Sequence, residues 1–132
     1  MEYFKLGIDV GSTTIKIVVL DYYNKVIYGD YKRHFSDIKT TLKKALNQCV
    51  EELGNINLKA TVTGSGGIAA SEWLKTKFEQ EVISCTRAVE EFLHKTDVVI
   101  ELGGEDAKIT YLKDGIDPKN EWNLCRWNRC IY

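Results

Sequence analysis

Leu6-Gly7-Ile8-Asp9-Val10-Gly11-Ser12-Thr13-Thr14-Ile15-Lys16-Ile17-Val18-Val19-Leu20-Asp21 reads as two β-strands folded back on one turn. An apolar run carries a single carboxylate, Asp9, near its end. Gly11-Ser12-Thr13 turns the chain, which returns through β-branched residues with Lys16 just inside the second strand. Two such runs joined by a short glycine-containing turn predict a hairpin. The turn offers backbone N–H groups and the hydroxyls of Ser12, Thr13 and Thr14. Donors of this kind hold phosphate oxygens, and a nearby lysine adds charge. Asp9 suits a hydrated Mg2+, because that ion keeps several waters and takes few protein carboxylates. A structural hairpin with a solvent-facing Asp is the plainer alternative.

Working outward, Tyr3 to Val10 and Thr14 to Leu20 are the first two strands, and Val26 to Arg33 completes an antiparallel meander. Ser36 is the expected N-cap of a helix running to about Leu53, since Ile38, Leu42, Ala45, Leu46, Cys49, Val50 and Leu53 recur at helical spacing. Gly54 and Asn55 end it. Lys39, Lys43 and Lys44 mark its wet face. Leu58 to Thr63 is a fourth strand, followed by Gly64-Ser65-Gly66-Gly67. Ile68 to Lys77 and Glu81 to Lys95 read as helices. Asp97 to Leu102 is an apolar run of the kind that forms a buried central strand. Gly103-Gly104 turns the chain, and Ala107 to Leu112 returns as another strand. Three strands, a helix, a strand, helices and two strands predict an α/β, ribonuclease H-like mixed sheet with helices on its faces.

The 132 residues suffice for one domain with a real core, and 44% apolar with 28% charged is an ordinary globular composition. A net charge of −1 supplies no basic field for nucleic acid or an anionic membrane. No apolar run is long enough to span a bilayer, and the N-terminus starts as a strand rather than a signal peptide, so the expectation is a cytoplasmic protein. Cys49 and Cys85 fall in expected helices and read as small buried apolar residues. Cys125 and Cys130 form a lone C-x4-C, weak as a metal signal.

Three glycine-rich turns end three strands: Gly11-Ser12-Thr13, Gly64-Ser65-Gly66-Gly67 and Gly103-Gly104-Glu105-Asp106. Open α/β sheets bind ligands at the carboxyl ends of their strands. Each turn alone is weak evidence. Together with Asp9, Lys16, Glu101, Glu105 and Asp106 they form a more specific constellation, in which Gly64 and Ser65 join the first turn as candidate nucleotide contacts.

The first motif resembles the phosphate-binding hairpin of the sugar kinase, actin and heat-shock chaperone superfamily, and Gly103-Gly104 resembles its second phosphate turn. The pattern is similar in more detail to the ATP-dependent activators of 2-hydroxyacyl-CoA dehydratases and benzoyl-CoA reductases. It reads Gly-Ile-Asp-Val-Gly-Ser-Thr-Thr, Thr-Gly-Ser-Gly-Gly and Glu-Leu-Gly-Gly-Glu-Asp-Ala-Lys, at residues 7–14, 63–67 and 101–108. The resemblance implies two lobes closing over ATP or ADP with Mg2+. It also implies a homodimer sharing one four-iron–four-sulfur cluster, and one-electron transfer to a dehydratase or reductase. It assigns Asp9 to Mg2+, Gly11 to Thr14 to the terminal phosphates and Lys16 to their charge. Gly103 and Gly104 would close the far side. Asp106, with Glu105, would position Mg2+ or the attacking water, the kind of task phosphoryl transfer demands.

After Asp117 the family pattern continues as roughly Gln-Lys-Met-Asn-Gly-x-Cys-Ala-Gly-Gly-Thr-Gly-Ala-Phe, whose Cys binds the cluster. This chain reads Pro118-Lys119-Asn120-Glu121-Trp122-Asn123-Leu124-Cys125-Arg126-Trp127-Asn128-Arg129-Cys130-Ile131-Tyr132. Permitted codons for residues 121–132, read one nucleotide on, spell Asn-Gly-Ile-Cys-Ala-Gly-Gly-Thr-Gly-Ala-Phe. Trp has one codon, and Asn follows Trp122 and Trp127, so each junction forces a shifted-frame glycine. The expectation is a lobe over residues 1–117 and a frameshifted tail over 118–132. Such a truncated activator would have no cluster, little ATPase activity and a tendency to self-associate through an uncovered lobe interface.

Three other readings compete. A ribonuclease H-like nuclease or resolvase would also begin with an Asp on its first strand, but it needs further converging carboxylates, and the fourth strand ends in glycines. Another kinase or chaperone branch of the superfamily, or a non-enzymatic binding module, would share the hairpin.

Overall fold

A computed structural model of the chain describes residues 3–103 and 107–112. Gly104, Glu105, Asp106, Cys125, Cys130 and the whole tail over 118–132 lie outside the described residues. The chain divides into two compact units, Met1–Glu81 and Val82–Tyr132.

The first unit is built on a five-stranded mixed sheet in the order β3-β2-β1-β4-β5. Its strands are β1 (Phe4–Val10), β2 (Thr14–Leu20), β3 (Val26–Arg33), β4 (Leu58–Thr63) and β5 (Lys77–Phe78). β1, β2 and β3 form the expected antiparallel meander, while β4 runs parallel to β1 and β5 parallel to β4. Two helices supply the crossovers: α1 (Ile38–Leu53) from β3 to β4, and α2 (Gly67–Leu74) from β4 to β5.

Strand alternation sets the core. Leu6, Ile8 and Val10 are buried on one face of β1, opposite Val19, Ile17 and Ile15 of β2. Leu42, Ala45 and Cys49 of α1 pack on this layer with Val62 and Ala70. Each fully buried aliphatic side chain contributes about 1.5–3 kcal/mol relative to exposure. Cys49 is the small apolar residue its helical position predicts, and burial pushes its thiol pKa up, with Glu52 and Asp30 adding to the effect.

Helix boundaries differ from the sequence reading for local reasons. Asp37, not Ser36, caps α1: its Oδ1 accepts the Thr40 N–H at 3.1 Å, while Ser36 sits in the left-handed region at φ 67°. Gly54 ends α1 at φ 74°, its N–H donating to the Val50 carbonyl. α2 stops at Leu74 because Lys75 turns left-handed and the Thr76 hydroxyl donates to the Ala60 carbonyl at 2.6 Å. The chain is thereby laid beside β4 as β5, a strand of two residues, too short for any periodicity to announce.

The second unit contains most of α3 (Glu81–Phe92), then β6 (Val98–Leu102) and β7 (Ala107–Tyr111), which pair antiparallel as a two-stranded sheet. Here the expectation of a buried central strand fails. Val98, Ile100 and Leu102 share one face with Tyr111, Ile109 and Ala107, and Leu102 is 82% exposed. An apolar run is buried on both faces only when a sheet and its covering layers surround it, and among the described residues β6 pairs with β7 alone. Cys85 also departs from expectation. It is half-buried, and its thiol pKa is pushed up first by burial, then by the Glu101 charge and a hydrogen bond to Glu101.

Candidate functional site

Antiparallel register places Asp9 directly opposite Lys16, both on the sheet face away from Ile8 and Val10. Lys16 Nζ lies 2.7 Å from Asp9 Oδ2. The turn between them closes through the Gly11 N–H, which donates to the Thr14 carbonyl at 2.9 Å. Within the turn Ser12 is exposed, Thr13 half-buried and Thr14 buried, so Ser12 and Thr13 present the accessible donors.

The second glycine turn arrives at the same place because β4 is parallel to β1, with Thr63 beside Asp9 in register. Gly64 adopts φ 96°, and a Cβ there would lie 2.3 Å from the Val10 carbonyl oxygen and 2.6 Å from Asp9 Oδ1. Only glycine permits both the angle and the approach. The Gly66 N–H donates to the Val10 carbonyl at 2.8 Å, which fastens the second turn to the end of β1. The structure thus brings together Asp9, the turn over residues 11–14, Lys16, Gly64 and Ser65.

Gly103 follows β6 in the second unit. The two hairpins share a plan. Asp9 opposes Lys16 and Glu101 opposes Lys108, and the flanking pairs Val10–Ile15 and Leu102–Ala107 each enclose four residues, 11–14 and 103–106.

Two residues at the first site escaped the sequence reading. Thr63 carries a buried Oγ1 with no hydrogen-bond partner, beside Asp9. His34 is 5% exposed and reaches the turn from the end of β3. The observed register explains its reach: Thr14 lies opposite Arg33, which puts the next residue alongside Thr13.

No cluster of three or more His, Cys, Asp or Glu side chains suited to a metal occurs among the described residues. Hydrated Mg2+ requires no such cluster. One half-exposed carboxylate, an orphaned hydroxyl next to it and a glycine cradle around it fit that ion.

No protein-family model matches the chain. Two uncharacterised proteins of Methanocaldococcus jannaschii are similar in sequence. One is 30% identical over 122 residues, covering 87% of this chain and 29% of the relative. The other is 35% identical over 104 residues, covering 79% and 41%. Among solved structures, the activator of the 2-hydroxyisocaproyl-CoA dehydratase from Clostridium difficile, with bound ADPNP, superposes at TM-score 0.73 and 26% identity, over 83% of this chain and 41% of that one. The Acidaminococcus fermentans (R)-2-hydroxyglutaryl-CoA dehydratase component A gives 0.73 at 20% identity, over 86% and 44%. The ethanolamine utilization protein EutJ from Carboxydothermus hydrogenoformans gives 0.64 at 17%, over 85% and 48%. The chain therefore spans less than half the length of these relatives. It carries the ribonuclease H-like fold of the actin-like ATPases, and within that fold it is similar to the activators of 2-hydroxyacyl-CoA dehydratases.

Proposed function

We propose that the chain is a nucleotide-phosphate-binding lobe of an ATP-dependent activator of an acyl-CoA dehydratase or reductase. The observation that carries this is Gly64, packed so closely on the Asp9 carboxylate and the Val10 carbonyl that the two glycine turns form one cradle. A purely structural hairpin has no need of a second glycine turn against its carboxylate.

In this reading Asp9, with the Thr63 hydroxyl beside it, holds hydrated Mg2+, which supplies charge neutralisation at the phosphates when bound. The N–H groups and hydroxyls of Ser12 and Thr13 donate to phosphate oxygens. Lys16 exchanges its partner Asp9 for a phosphate, which its half-exposed position allows. Thr14, Gly64 and Ser65 complete the first contact set. Gly103 and Gly104 supply the second turn, and Glu105 and Asp106 the water- or Mg2+-orienting carboxylates. Positioning and electrostatics of this sort are what phosphoryl transfer asks of a protein.

The larger role belongs to the full-length activators that the chain resembles: ATP hydrolysis coupled to one-electron transfer and a four-iron–four-sulfur cluster shared across a homodimer in a cytoplasmic setting. With its tail frameshifted, this chain alone is proposed to hold no cluster and to hydrolyse little ATP. The proposal includes a lobe over residues 1–117 and a frameshifted tail over 118–132, which sequencing the gene from the Asp117 codon onward tests. Among the described residues no helix is long and apolar enough to cross a membrane.

Isothermal titration of the chain with Mg-ATP, beside Asp9→Asn, tests the site. Binding that the substitution weakens at least about tenfold supports it. Absence of binding, or binding the substitution leaves alone, overturns it.

A further inference from the structure

His34 is buried, lies outside the contact set above, and has both ring nitrogens occupied by backbone. Its Nε2 is 3.0 Å from the Gly11 carbonyl oxygen, and its Nδ1 is 3.0 Å from the Ser36 nitrogen. A backbone N–H can only donate, so Nδ1 is the unprotonated nitrogen and Nε2–H donates to Gly11. The His34 N–H meanwhile donates to the Thr13 carbonyl at 3.1 Å. One residue therefore holds two of the turn's carbonyl groups.

The backbone is bent to achieve this. Phe35 and Ser36 lie at φ 46° and 67°, a region that costs free energy for residues bearing a Cβ. That bend carries the Ser36 N–H back onto the imidazole, while the Asp37 N–H donates to the His34 carbonyl at 2.7 Å. Phe35 is 82% exposed, with the Arg33 guanidinium over its ring at 6.0 Å, so burial of its side chain does not explain the strain.

The consequence follows from peptide planarity. In a trans peptide the carbonyl of one residue and the N–H of the next point in opposite directions. Holding the Gly11 carbonyl toward the imidazole turns the Ser12 N–H away from it. Holding the Thr13 carbonyl does the same for the Thr14 N–H. We infer that His34 is a positioning residue for the phosphate turn: its neutral imidazole fixes the peptide planes so that the Ser12 N–H faces the ligand before the ligand arrives. Preorganised donors bind without the cost of ordering them. The inference rests on the nucleotide-phosphate reading of the same turn.

The test compares wild type with His34→Gln and His34→Leu, using Mg-ATP titration, thermal melting and the amide resonance of Ser12 followed by NMR. Gln keeps a donor for the Gly11 carbonyl, and Leu does not. The expected result is wild-type binding with a ligand-induced shift at Ser12, Leu roughly tenfold or more weaker with that shift lost, and Gln recovering most of the affinity. A merely structural role would lower the melting temperature of both variants and leave the affinity and the Ser12 shift of the folded protein unchanged, which overturns the inference. If His34→Leu does not fold, His34→Asn, whose amide is too short to reach the Gly11 carbonyl, takes its place: roughly tenfold weakening in the folded variant supports the inference, and wild-type affinity with an unchanged Ser12 shift overturns it. Failure of wild type to bind Mg-ATP overturns the nucleotide reading and this inference with it, a result distinct from binding that is indifferent to His34.

Discussion

Gly64 Cα rests against the Asp9 carboxylate so tightly that a methyl group there would sit 2.6 Å from Oδ1. Gly64→Ala therefore combines a left-handed backbone strain of about 1–3 kcal/mol with a collision against the Val10 backbone. Gly54, at φ 74° with nothing near its absent Cβ, provides the control. Gly54→Ala should cost about 1–3 kcal/mol from its backbone conformation alone, φ 74° with ψ −163°, and carry no added collision. Urea unfolding of the two variants checks the contrast; equal losses would show that the cradle is not close-packed.

Asp9 and Lys16 form an ion pair with side chains 32% and 48% exposed, so solvent screens it. Asp9→Asn should alter unfolding free energy by no more than about 1 kcal/mol. A loss of several kcal/mol in denaturant titration would mean that Asp9 serves the fold rather than a ligand.

Ile8 is 1% exposed and Ile100 is 63% exposed. Ile8→Ala should cost about 2–5 kcal/mol. Ile100→Ala should remain within about 0.5 kcal/mol. Should Ile100→Ala in this chain prove as damaging as Ile8→Ala, the apolar face of β6 and β7 is covered in solution.

Cys85 has its thiol pKa raised by burial and then by Glu101. Iodoacetamide should modify it slowly near neutral pH, because the thiolate is the nucleophile. Glu101→Gln removes the charge and should accelerate alkylation of Cys85. Labelling followed by peptide mass spectrometry reads the rate, and an unchanged or slower rate would remove Glu101 as a cause.

Both described thiols titrate above their ordinary value of 9.0 when folded. The folded chain then holds protons that the unfolded chain has already released. Stability should fall as pH rises above about 9. Burial pushes the Tyr28 phenol up in the same direction from 10.0, with Asp30 next among the causes. Thermal melting at a series of alkaline pH values checks this, and a flat profile contradicts it.

Much of the first unit was legible because its elements announce themselves locally. β2, β3 and β4 begin and end at the residues their β-branched runs indicate, and Gly64 and Gly11 stand where a strand must turn. The Asp9–Lys16 pairing follows from turn length alone, since hairpin register is fixed by its loop. β5, Thr63 and His34 were not legible. A two-residue strand has no period, a threonine at a strand end looks like any other, and a histidine after a strand gives no sign of what it faces.

The amino-acid sequence by itself determined the meander, the amphipathic helix α1 and the carboxylate-turn-lysine order of both hairpins, because these depend on neighbours a few residues apart. Only the tertiary structure decided that the turn after β4 closes on Asp9, that His34 holds the Gly11 and Thr13 carbonyls, and that Asp97 to Leu102 ends as a half-exposed ribbon. Those outcomes depend on which distant segments a strand meets, and the same apolar run serves a buried strand or an exposed one until its partners are known.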